Sequence, residues 1–419
     1  MPGYLPVPGG DWNPFVPTLP DHKRHNLPVD RIQRRRVMSG LLRAGLAAVD
    51  PESLTRQALE GRNGERVTLI AIGKASIGMC RGAVRALGDS GGICVSNISG
   101  PVPRDIHLVV GNHPVPGPGS FEAGRRVLEV AAAATEPIVA LISGGGSALC
   151  EHPIDGVSPS FISDVGRRLL ESGASISDTN LVRRHLSAVK NGGVARVAGG
   201  PVDTYVISDV CGEQPSLIAS GPTASMPLDP NAAGEIMARH GIDVPDGVME
   251  AMQAPRSPVA ASPITVLADA RTAAEGVVHA AAGEAIEATI TDEWLRGDVA
   301  EALDRFLDAA GPGLTVAAGE PEVRVTGEGV GGRNTHAALV AAEQLAGSDV
   351  WFAAFATDGV DGNSASAGAI VDGTTIERGG DPKAALETSD SATYLEATGD
   401  LIHTGPTGTN VSDLWVLWR

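Results

Sequence analysis

The chain has 419 residues, of which 42% are hydrophobic, and a net charge of −18. That length suits about two domains with cores of their own, and the acidic balance argues against nucleic acid or an anionic membrane as partner. No apolar run reaches the roughly 20 residues needed to span a bilayer, and the four scattered cysteines (Cys80, Cys94, Cys150, Cys211) show no C-x-x-C spacing, which reads as buried thiols in a reducing cytoplasm.

Residues 1–30 are rich in Pro and Gly and lack the charged start and apolar core of a secretory signal; they read as an extended arm. A helical pattern covers 29–59, with Asp50 and Pro51 placed to cap and open a second helix. Strand and helix then alternate. Residues 67–72 form a predicted strand, and 73–79 form a glycine turn that enters a helix. Further strands are predicted at 92–96 and 107–111, then a Pro/Gly loop at 111–120 and a helix over 121–134. The apolar run 138–142 is a strand of the fully buried kind and leads straight into Ser143, Gly144, Gly145, Gly146 and Ser147.

Helices are expected over 158–172 and 180–189, a strand at 203–207, a long loop at 208–223 and a helix near 232–240. A domain boundary is placed near 262. The second domain then opens with a strand at 264–267 and continues with a helix at 272–282, a strand at 286–290 and a helix at 298–309. A strand pair at 314–317 and 322–326 follows. The loop 327–334 opens a helix to 345, and a strand at 350–356, the loop 357–369 and a last strand complete the chain. This alternation implies α/β architecture: a parallel sheet with helices on both faces, whose ligands bind beyond the carboxyl ends of the strands.

Several residues at those strand ends carry useful chemistry. A strand, a glycine turn and a helix together aim backbone N–H groups at an anion, so 143–147 reads as a phosphate or carboxylate cradle. Only four of the 32 basic Lys and Arg residues are lysines, and two of them, Lys74 and Lys190, sit beside glycines. A compact ammonium bridges phosphate oxygens in a way a guanidinium does not. Asp209 and Asp358 follow strands, where an acid can hold Mg²⁺ or orient a hydroxyl; Asp361 is next in line. Arg333, after two glycines, can clamp a carboxylate or phosphate. Arg183, Arg184 and His185 are consecutive and cannot all face one ligand, and His113 reads as a loop-packing residue. There is no P-loop, and no G-x-G-x-x-G follows a strand with an acid about 20 residues on, so a nicotinamide dinucleotide site is not indicated.

The motifs GKAS (73–76), NHPVPGPGS (112–120), LISGGGSAL (141–149), LVRRHLSAVKNGG (181–193), IASGPT (218–223), GGRN (331–334), TDGVDG (357–362) and TGPTGTNVSDL (404–414) occur in that order. From about residue 35 onward this set resembles the MOFRL-type glycerate 2-kinases, a family once labelled hydroxypyruvate reductases. The resemblance implies transfer of the ATP γ-phosphoryl group to the 2-hydroxyl of D-glycerate or a close relative, with Mg²⁺ or another divalent cation. It implies two α/β domains, a Rossmann-like one over 31–261 and a MOFRL-type one over 262–419, with the active site in the cleft between them.

Lys74 and Arg333 match the lysine and arginine taken as active-site residues in that family. With them go Asp209 as a catalytic and metal-holding acid and Asp358 as a second metal carboxylate. The cradle residues would be Ser143, Gly144, Gly145, Gly146 and Ser147, with Thr407, Gly408 and Asn410 from the 405–410 turn. Arg184 and Lys190 would assist in binding.

The chain departs from the family pattern at His336, where an acid is usual. It also departs at AGEP (318–321), which keeps Glu320, at SDVCGEQP (208–215) and at ADARTA (268–273). A homo-oligomer is left open, as are an NAD(P)H-dependent reductase of hydroxypyruvate and a non-catalytic relative.

Overall fold

The computed structural model describes residues 29–210, 215–261 and 263–419. The arm over 1–30 lies outside them except for its last two residues, which begin the helix Val29–Ala48. Cys211 is also outside; Cys80, Cys94 and Cys150 are buried free thiols. Among the described residues no helix is long and apolar enough to cross a membrane. The described residues divide into two compact units, one of residues 47–273 and 408–411, the other of 29–46, 274–407 and 412–419.

The first unit is built on strands β1 (Thr68–Ile72), β2 (Gly91–Ser96), β3 (Ile106–Val110), β4 (Ile138–Ser143), β5 (Asp203–Ile207) and β6 (Ile264–Ala268), in the spatial order β3-β2-β1-β4-β5-β6. All neighbours run parallel. All six residues of β4 are buried, as expected of a central strand covered on both faces. Ile70, Ile72, Ile93, Val95, Ala140 and Ile142 form a core with Val127 and Ala131 of the helix Pro118–Ala133. A second cluster, with Val165, Leu169, Val182, Leu186 and Met237, packs the helices Pro159–Glu171, Ile176–Leu186 and Pro230–Arg239 together. The strand order reverses between β1 and β4. In such a sheet that reversal opens a crevice at the carboxyl ends of the two strands.

The second unit carries β7 (Ala288–Ile290), β8 (Leu314–Gly319), β9 (Trp351–Ala356), β10 (Gly368–Asp372), β11 (Leu401–Ile402) and β12 (Asp413–Trp418), in the order β11-β10-β9-β12-β8-β7. Only the β7–β8 pair is parallel. The helix Arg333–Gln344 turns a small-residue face of Ala337, Ala338, Ala341 and Ala342 toward the core. Phe306, Phe352 and Trp415 fill that core, with ring centroids 5.7–6.2 Å apart.

Three expectations are corrected. The strand placed at the start of the second domain is β6, which pairs with β5 in the first sheet; an edge strand reads alike from sequence in either domain. The 29–48 helix, assigned to the N-terminal domain, belongs to the second unit. There Arg31 meets Asp372 and Asp400, and Arg35 donates to Asp400 Oδ1 and to the Ile370 and Leu401 carbonyls. Residues 322–326 form no strand beside β8; Glu322 makes only an isolated bridge to Asp298.

Gly73 shows how tightly β1 and β4 are joined. Its φ is +130°, and a Cβ there would fall inside Ser143, on both the hydroxyl and the backbone carbonyl. Gly73→Ala is expected to destabilise the protein by about 2–4 kcal/mol in urea unfolding. Adding Ser143→Ala should not rescue it, because the carbonyl clash remains.

Candidate active site

The first unit's switch point is assembled by backbone contacts. Lys74 N donates to Gly144 O at 2.9 Å, and Gly73 N to Val95 O at 3.0 Å. The Ser143 hydroxyl accepts Ala75 N at 3.0 Å. Both loops are held there at one height. Gly145 adopts φ +78°, and the Lys74 stem lies against the place its Cβ would occupy, 3.1 Å away at Cγ. Gly144 faces Asp209, whose carboxylate fills the space a Cβ would need. Asn410 Nδ2 donates to Asp209 Oδ2 at 3.2 Å. The Ser147 hydroxyl meets Ser220 Oγ at 2.8 Å, and Ser220 donates to Asn180 Oδ1 at 3.0 Å. The first unit therefore gathers Lys74, Gly144, Gly145, Ser147, Asp209 and Asn410 into one constellation. Lys74, Gly145, Ser147, Asp209 and Asn410 are half-buried, as groups that must meet a ligand should be.

Other expected residues serve the fold here. Ser143 is fully buried, and its hydroxyl holds the 73–75 turn rather than facing an anion. Gly146 is buried against Ala219 and Ile72. Lys190 has no exposed surface; its ammonium is bound to Glu151, itself 1% exposed, and burial pushes its pKa down. It forms a closed internal pair and does not sit at a phosphate-facing position. Arg184 donates to Asn180 O at 3.2 Å and to Met226 Sδ at 3.2 Å. His185 is buried on Leu181 O, and burial lowers its pKa.

In the second unit Arg333 stands at the start of its helix. Nε and Nη2 reach the two oxygens of Asp413 at 2.5 and 3.1 Å, and Nη1 reaches Glu320 at 2.8 Å. Three of its five N–H groups are thus committed, and two remain for another acceptor. Asp413 is fully buried on β12, and burial pushes its pKa up to about 6 against the pull of Arg333 and Asn334. Asp361 serves the start of the same helix. Its carboxylate accepts Asn334 N at 2.9 Å and Thr335 N at 2.8 Å and caps the helix. Asp358 Oδ1 accepts Val360 N at 3.1 Å in a local turn. Thr407 Oγ1 donates to Thr357 O at 2.6 Å, and Gly408 takes φ +78°. Among the described residues no three His, Cys, Asp or Glu side chains gather into a metal site. Ser220 lies in the strand-end loop that the sequence marks out, whereas Asn180 and Asp413 are not singled out by residue pattern. Asp413 lies within the TGPTGTNVSDL motif, which was its available signal.

Residues 37–253 match the family described as a domain of unknown function, DUF4147, and residues 313–413 match the MOFRL family. A protein of Agrobacterium vitis that bears a hydroxypyruvate reductase label is 36% identical, covering 91% of this chain and 94% of its own. The D-glycerate 2-kinase of Thermotoga maritima is 34% identical, covering 89% of this chain and 95% of its own. A crystal structure of glycerate kinase from Thermotoga maritima superposes with a TM-score of 0.81 at 33% identity, over 91% of this chain and 98% of that one.

Two outcomes are expected from the buried charges. The Asp413 carboxyl, raised from 3.8 to about 6, contributes stability in full below its ordinary value and loses it as pH rises through 6. Unfolding free energies at pH 4.5 and 7.5 should therefore contain a fall of about 2 kcal/mol, and Asp413→Asn should remove that component. Lys190→Met leaves the Glu151 charge enclosed and should cost about 3–5 kcal/mol in the same assay.

Proposed function

The chain belongs to the family of MOFRL-type glycerate 2-kinases, and we propose that it transfers the γ-phosphoryl group of ATP to the 2-hydroxyl of D-glycerate. The observation that carries this reading is the switch-point constellation. An ammonium, a glycine loop, a hydroxyl and a carboxylate lie together at the carboxyl ends of β1 and β4. Phosphoryl transfer asks little covalent chemistry of a protein; it needs placement and neutralised charge.

Lys74 neutralises the moving phosphoryl group. The backbone of Gly144 and Gly145, with Ser147, Gly408 and Asn410, cradles phosphate oxygens. Asp209 orients the attacking hydroxyl. Arg333, held by Asp413, is the second active-site cation, with its two uncommitted N–H groups as the donors. For a divalent cation we propose Asp209, the carboxylate against the glycine loop. A carboxylate beside phosphate oxygens and water is the oxygen donor set that Mg²⁺ accepts, and the cation would neutralise charge on the β- and γ-phosphates. These are small-molecule partners, and ATP is one of them.

Release of ADP against a panel of small hydroxy acids tests the reading and names the acceptor. Lys74→Ala is expected to lower kcat by about two orders of magnitude or more while leaving the unfolding midpoint near wild type. Full turnover in that variant would remove Lys74 from the chemistry. Oxidation of NADH by hydroxypyruvate, followed by absorbance, would instead support the reductase label.

A further inference from the structure

The helix Ile176–Leu186 presents Arg183, Arg184 and His185 in succession, and the fold disposes of them differently. His185 turns inward onto Leu181 O, and Arg184 lies back onto Asn180 O and Met226. Arg256, nearby, is clamped on the Arg184, His185 and Ser187 carbonyls, which ties down the end of this helix. Arg183 has no such anchor. Its Nε is sealed from solvent and meets no hydrogen-bond acceptor, while the residue as a whole keeps partial exposure. Burial pushes its pKa down, and Glu151 alone pulls the other way.

Glu151 is already committed. One oxygen holds the Lys190 ammonium, and the other accepts His152 N at 2.9 Å. Two cations, Arg183 and Lys190, therefore share one carboxylate, and a positive charge is left over below the surface. Enclosing an unmatched charge is costly. A fold can carry that cost where a ligand anion completes the set.

The surroundings say which ligand. Asn180 is one turn before Arg183 on the same helix face. Its Oδ1 accepts from Ser220, which meets Ser147. Glu151 lies two residues past the end of the short helix Gly146–Leu149 that leaves the glycine loop. Through the Glu151 charge that it feels, Arg183 is tied to that end of the loop. We infer that Arg183 binds an oxyanion in this site, the carboxylate of the hydroxy acid acceptor, with Asn180, Ser147 and Ser220 as its neutral neighbours. The inference rests on the kinase reading. The carboxylate is favoured over a nucleotide phosphate because Lys74 and the glycine backbone already fill the phosphate role, and a planar guanidinium matches a planar carboxylate in two parallel bonds.

The test uses the full chain with Arg183→Gln and Arg183→Lys, and D-glycerate, its methyl ester and ATP as probes. Without ligand, Arg183→Gln should melt at or above the wild-type temperature, because an unmatched charge has gone. D-Glycerate should raise the melting temperature of wild type, raise that of Arg183→Lys in part, and leave Arg183→Gln unmoved. The shift caused by ATP should be the same in all three. In turnover, Arg183→Gln should raise KM for D-glycerate roughly ten-fold or more, the size of a lost charge-assisted pair, with KM for ATP unchanged. The methyl ester, lacking the free carboxylate, should be used equally by wild type and variant.

An Arg183→Gln protein that melts well below wild type yet keeps its KM for glycerate would overturn the inference, as would one that loses the ATP shift. Wild type that turns over no hydroxy acid but shows an Arg183-dependent glycerate shift would sink the kinase reading and leave the inference standing. Wild type and Arg183→Gln turning over glycerate alike would do the reverse.

Discussion

The first unit depends on the joint between two neighbouring strand ends. Lys74 N on Gly144 O and Ala75 N on the Ser143 hydroxyl bind the loop after β1 to the loop after β4. That joint sits where the strand order reverses, the one place in a doubly wound sheet where adjacent loops diverge to opposite faces and leave a crevice. Gly73 permits the approach, and Ser143 spends its hydroxyl on maintaining it. The placement of the Lys74 stem against Gly145 and of Asp209 against Gly144 follows from this backbone arrangement. The chemistry is carried by a rigid strand-end frame, which suits a reaction governed by positioning.

Charge is handled in three ways below the surface. Lys190 and Glu151 close on each other and act structurally. Arg333 is steadied by Asp413 and Glu320 and keeps part of its donor fork in reserve. Arg183 keeps partial exposure but seals its Nε away from solvent with no acceptor. Only the last two kinds can serve an anionic substrate, and their local fields operate inside a chain whose formal net charge is −18. An acidic exterior and cationic sites for small anions are compatible, because screening confines exposed charges to about 10 Å while enclosed ones are screened far less.

Much of the first sheet could be read from residue pattern. The apolar runs of β1 and β4, each ending in glycine, are local signals, and so is the Asp50 cap, which accepts Ser53 N at 2.8 Å. What failed was non-local. The side of the molecule to which β6 belongs is decided by its pairing with β5, and the place of the first helix by arginines that reach Asp372 and Asp400, more than 300 residues away. Lys190 was singled out because lysines are rare here, but its burial depends on Glu151, which the spacing did not reveal. Asp361 was read as a possible acid and is a helix cap, a role settled by which N–H groups face it. Among three consecutive cations no sequence rule tells which one lacks a partner; that requires knowing where each carbonyl and carboxylate ends up.

The short segment 408–411 belongs to the first unit, although the residues on both sides of it belong to the second. Asn410, which reaches Asp209, and Thr409, whose hydroxyl donates to Val49 O at 3.2 Å, therefore arrive from the far end of the polypeptide. The first sheet has all its strands by Ala268, but the unit built on it is completed only when residues 408–411 join it. The first unit is therefore not one continuous stretch of chain, and a cut after residue 273 would take from Asp209 its Asn410 donor and from Val49 its Thr409 donor.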